Sequence, residues 1–151
     1  VGGAGVVLLI AYPLLVFISP GWIALLKALN LPVEVQDQVT VFSETKSQLL
    51  LAAMLLVACV LAPINEELLF RRGLYHYLRQ KLHRPGAVLL SALLFGILHM
   101  NWAGFLPLML LGALLALAYE WTGDIRVSIM THALFNFTTV MMLFLGVPQP
   151  S

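Results

Sequence analysis

Charge is what this chain has least of. Only 10% of its 151 residues are Asp, Glu, Lys or Arg, where an ordinary soluble domain carries about 25%. With 61% hydrophobic residues, a soluble protein of this size has too little interior for its apolar surface, which points to a bilayer as solvent. The net charge is +1, and no basic stripe argues for a nucleic-acid partner. The single cysteine, Cys59, excludes a disulfide within the chain. It lies in an apolar run and reads as a small core hydrophobe. HExxH, GxSxG and P-loop motifs are all absent, so the zincin, serine-hydrolase and nucleotide-hydrolysing classes lose support. Val1 to Ile18 has neither the basic start nor the cleavage site of a signal peptide and reads as a membrane helix.

What the chain does have is apolar length. Segments at about 1–19, 47–70, 86–100, 104–120 and 126–146 predict an all-α, polytopic transmembrane helical bundle. Residues 21–31 read as a short amphipathic piece near the interface, and 32–46 as a polar loop carrying Glu34, Asp37, Glu44 and Lys46. Segments 86–100 and 104–120 are short against the roughly 20 residues that a spanning helix needs. Trp22, Trp102 and Trp121 fall at segment boundaries, as interfacial aromatics do. Arg71, Arg72, Arg79, Lys81 and Arg84 cluster without an acid among them, which turns the 71–85 region toward the cytoplasm by the positive-inside rule. Ala92/Gly96 and Gly112/Ala116 have the small-xxx-small spacing that permits close helix packing. The expected domain plan is an N-terminal membrane helix, interfacial piece and loop over 1–46, a core over 47–146 and a tail over 147–151.

Against that apolar background a few polar residues stand out. No charge occurs from Ser47 to Asn65, and then Glu66, Glu67 and Arg71 follow at once. An ionisable side chain at membrane depth costs about 2.5–3.5 kcal/mol on insertion scales and generally faces a partner or a cavity. Glu67 and Arg71 are four apart and share a helix face. Glu66 is turned about 100° away from Glu67, so the two acids can face different partners. An interfacial charge cluster is the competing reading. If 64–82 and 86–99 form an antiparallel hairpin turning near Pro85, Glu66 lies roughly 25–28 Å above the turn and His99 roughly 20–22 Å. Phe95, four residues before His99, can pack on the imidazole. His132 and Asn136, again four apart, can both donate to one oxygen, as an oxyanion hole requires. Interhelical hydrogen-bonding glue is the alternative for that pair. Measured from Arg126, His132 is only about 9 Å deep, shallower than His99. His76 and His83 read as interfacial, and Glu120 and Asp124 as solvated loop acids.

EELLFR, FGILH and HALFN, in this order, resemble the CPBP family, the CAAX-protease and bacteriocin-processing group also called Abi proteins. The likeness runs from about Ser47 to Gly146. It implies an intramembrane, glutamate-dependent endopeptidase in which Glu66 and His99 activate a water. His132 and Asn136 then stabilise the oxyanion, and Glu67 and Arg71 support the site. The implied substrate is a membrane-embedded or lipidated protein or peptide, prenylated in the type members. The implied place is the cell membrane, multi-pass, with the site open to the cytoplasm. No cofactor is required on this reading. Two alternatives stay open: a zinc protease with Glu66, His99 and His132 as ligands, and a non-catalytic immunity or scaffold protein.

Overall fold

The computed structural model describes residues 2–33, 41, 42 and 44–146. Glu34, Asp37 and the 147–151 tail lie outside the described residues. Among the described residues, five long helical rods build the bundle and no strand occurs. Helix α1 is Gly2–Ala28, α2 is the continuous rod Gln48–Lys81, α3 is Arg84–Leu98, α4 is Trp102–Thr122 and α5 is Ile125–Phe144. All but α3 are long and apolar enough to cross a membrane. The chain is an all-α, multi-pass membrane protein.

Helix α4 is the hub, packing against α3, α1 and α5. One core joins Tyr75 and Leu78 of α2 to Ala87 and Val88 of α3 and Ala116 of α4. A second joins Ala11 and Leu15 of α1 to Leu111 and Leu115 of α4. The outward faces stay apolar, with Leu9, Phe17, Leu49 and Leu69 all exposed. In a bilayer those faces meet lipid.

Several expectations are corrected. The amphipathic piece at 21–31 is no separate interfacial element, because α1 runs without a break through Pro13 and Pro20 to Ala28. Buried Ile23 and Leu26 continue the stripe of Ala4, Ala11 and Leu15, so burial outweighs the break that proline would favour. Trp22 is tied inward, its Nε1 donating to Trp102 O at 2.8 Å. Helix α4 has 21 residues and is not short. Cys59 is only half-buried, on a π-helical stretch with no buried residue. Glu120 is no solvated loop acid: it accepts from Tyr75 Oη at 2.8 Å and pairs with Arg79 at 3.3 Å and Arg84 at 3.7 Å. Asp124 caps α5 by accepting from Arg126 N, and the Arg126 side chain holds its carboxyl below the usual carboxylate range.

Close approach of α3 and α4 depends on glycine. A Cβ on Gly96 would stand 2.9 Å from the backbone oxygen of Phe105, and that atom can yield only by moving the helix. Gly96→Ala should therefore destabilise the protein by about 1–3 kcal/mol through overpacking. Gly5, where a Cβ meets nothing within 4 Å, is the control. Thermal midpoints in detergent check the pair; an equal effect at both positions would refute the argument.

Candidate active site

The site is built on α2, whose backbone alternates between α and π hydrogen bonding. Val57–Leu61 and Leu68–Tyr75 are π-helical and flank the α-helical turn Ala62–Glu67. π turns inside α-helices are uncommon and recur at functional sites. The turn between them presents the two acids in different directions.

Glu67 is wholly buried, and each of its oxygens has an ion-pair neighbour, although Oε2 is not aligned for a hydrogen bond. Its Oε2 lies 2.9 Å from Arg71 Nε, and its Oε1 is 3.0 Å from His132 Nδ1. Arg71, also wholly buried, donates from Nη2 to Gly112 O at 3.2 Å and stands over the Phe95 ring at 5.1 Å. One residue earlier, Glu66 is about a third exposed, and its Oε2 has no hydrogen-bond partner although that atom is buried. The same oxygen is 3.9 Å from His99 Nε2 and 3.8 Å from His132 Nε2.

Each imidazole is oriented from behind. His99 caps the C-terminus of α3, where the last carbonyls lack intrahelical donors. Its own N–H turns to Gly96 O, and its Nδ1 lies 2.7 Å from Phe95 O. Since a carbonyl only accepts, Nδ1 carries the hydrogen, and Nε2 of the neutral ring is left with a lone pair. The left-handed turn at Met100, φ 50°, then starts α4, with Asn101 Oδ1 accepting from Gly104 N. His132 is held in the same tautomer by a carboxylate: Glu67 receives the Nδ1 hydrogen, so Nε2 donates only in the doubly protonated ring. Phe95 packs against both, with ring centroids 4.8 Å from His99 and 5.7 Å from His132.

The structure thus brings Glu66, His99 and His132 together and places Glu67 and Arg71 directly behind them. Asn136, one turn along α5 from His132, donates from Nδ2 to Ala58 O at 2.8 Å. Glu67 was assigned on sequence to Arg71 alone, and its second oxygen in fact serves His132. The depth objection to His132 falls because its Nε2 lies as near to Glu66 Oε2, at 3.8 Å, as does that of His99, at 3.9 Å. Gly112 and Ala58 were missed by sequence reading. Both contribute a main-chain oxygen, which no residue type announces. Among the described residues, no group of three or more His, Cys, Asp or Glu side chains is arranged to hold a metal ion.

Residues 48–138 match the family of type II CAAX prenyl endopeptidase Rce1-like proteins. That segment is well over half of the chain and contains every residue named above from Ala58 to Asn136. The chain is also 33% identical over 89 residues to the Bacillus subtilis (strain 168) protein named "Putative membrane peptidase YdiL". The match covers 59% of this chain and 36% of that protein, so the chain spans about a third of its curated relative's length. No solved structure matches. On the strength of the matched segment, the chain belongs to the type II CAAX prenyl endopeptidase Rce1-like family.

Proposed function

We propose that this protein is a glutamate-dependent intramembrane endopeptidase. Its substrate is a membrane-embedded or lipidated protein or peptide, prenylated near the bond that is cut. The observation that carries the reading is the placement of Glu66 Oε2, 3.9 Å from His99 Nε2 and 3.8 Å from His132 Nε2. These separations are too long for direct hydrogen bonds and suit polar groups bridged by one shared oxygen. A water about 2.8 Å from both Glu66 and His99 would be held by two acceptors.

From there the chemistry follows. Glu66 takes one proton as the water oxygen attacks the carbonyl carbon. The developing oxyanion takes N–H groups from doubly protonated His132 and from Asn136. As the tetrahedral intermediate collapses, the C–N bond breaks and the stored proton passes to the leaving nitrogen. The other water proton stays with the new carboxyl group until solvent takes it. Glu67 cannot serve as base, since Arg71 and His132 already occupy both its oxygens. Exposed Arg72 and Lys81, with part-exposed Arg79 and Arg84, support a cytoplasmic position for this end of the molecule.

The test is cleavage of a farnesylated peptide and its unmodified twin by the protein reconstituted in vesicles. Only the lipidated peptide should be cut efficiently, and Asn136→Ala should lower turnover by about 10²–10³. Absence of cleavage of either peptide by the parent would count against the substrate class. A second reading has its own observation: imidazoles oriented at Nδ1 by a carboxylate and a carbonyl are also how metal ligands are held. Chelation separates the two. Activity should survive it, and loss on chelation with return on adding zinc would decide for the metalloprotease.

A further inference from the structure

Asn136 is held by a carbonyl that its own helix has left open. A helical carbonyl ordinarily accepts from the N–H four residues on, which for Ala58 belongs to Ala62. That N–H goes instead to Val57 O, five residues back, as the π turn requires. The next donor in π register would be residue 63, which is a buried proline and has no N–H. Neither donor reaches the Ala58 oxygen, and an unsatisfied carbonyl in a poorly hydrated place is costly. Asn136 Nδ2 meets the need from across the helix interface at 2.8 Å. The bond also defines the amide's orientation, because a carbonyl accepts only from the NH₂ end. One N–H is spent there and the second remains.

We propose that Pro63 is a positioning residue for Asn136. By withholding an N–H, Pro63 keeps the Ala58 carbonyl open. That carbonyl anchors the carboxamide through one N–H and holds the other in a single orientation for the oxyanion. The inference rests on the reading of His132 and Asn136 as oxyanion donors.

Pro63→Ala supplies the missing N–H and a strong helix former, so the fold should be kept. The first readout needs no cleavage: exchange of the Asn136 side-chain amide protons in ¹⁵N-labelled protein, its signal assigned by loss in Asn136→Ala. Exchange of the anchored proton should be about 5–10-fold faster in Pro63→Ala, as expected when one hydrogen bond is lost. In the second readout, kcat should fall about tenfold with KM nearly unchanged, the mark of misplacement and not of lost binding. In the Asn136→Ala background, Pro63→Ala should add nothing. Pro63→Val restores the same N–H and must behave like Pro63→Ala; an effect that tracks side-chain size would overturn the proposal. So would parent-like amide exchange, or a kcat loss that adds in full to that of Asn136→Ala. Parent-like cleavage by Glu66→Gln would instead remove the protease reading, and amide exchange would still judge the anchoring by itself.

Discussion

Glu66→Gln will lower peptide cleavage by about 10²–10⁴, the range set by loss of a general base, and will leave thermal stability almost untouched. The two halves of that result have separate causes. Glutamine keeps the shape of glutamate but has no basic oxygen for a water proton, and its amide donates where the carboxylate accepted. Stability is spared because Glu66 is not the acid that pairs with Arg71. Its side chain is 31% exposed, and its Oε2 makes no hydrogen bond. Its nearest partners, His132 Nε2 at 3.8 Å and His99 Nε2 at 3.9 Å, lie beyond direct hydrogen bonding, so the thermal midpoint should move by no more than about 2 °C. Cleavage of the lipidated peptide and a melting curve on the same preparation check both halves. A variant as active as the parent would end the general-base assignment. A non-catalytic scaffold, in turn, would show no cleavage by the parent and no penalty from the change.

The second large effect lies at Arg71, the partner of Glu67. Arg71→Ala should cost about 3–5 kcal/mol, the penalty for leaving one partner of a buried ion pair uncompensated. That is a large share of the 5–15 kcal/mol by which a folded domain of ordinary size exceeds its unfolded state. Glu67 would lose its cation, Gly112 O its donor and Phe95 the guanidinium over its face. Arg71→Lys should restore little, because one ammonium cannot reach a carboxylate and a carbonyl while stacking on a ring. The measurement is the yield of folded protein and its midpoint in mild detergent. A stable, inactive Arg71→Ala protein would show that Arg71 acts in the reaction and not beneath it. Glu66 and Arg71, near one another in the chain, are thus expected to fail in opposite ways.

How far these assignments could be read from the sequence depends on what kind of contact each one is. Glu67 and Arg71 announce themselves through spacing, since four residues on a helix set two side chains on one face. The hairpin between α2 and α3 was legible from the polar turn before Pro85, and the structure has α2 ending at Lys81 and α3 starting at Arg84. Helix α1 was misjudged because Pro20 and the polar face of 21–31 resemble a break. Which face of a helix meets α4 cannot be weighed without knowing where α4 lies. His132 was placed too shallow because depth was counted from the nearest loop. The oxygens of Ala58 and Gly112 were invisible, since main-chain atoms are the same at every position. π turns leave no periodic trace over five to eight residues.

The length of α3 has a consequence for traffic to the site. Fifteen residues reach about 22 Å, against a hydrocarbon core of about 30 Å. A helix that stops short must draw the lipid surface toward it or be sheltered by its neighbours. Its C-terminal end carries His99, and beside it Leu98 and Met100 are exposed. Hydrophobic mismatch at that end would thin the bilayer and bring the boundary between lipid and water nearer to the site.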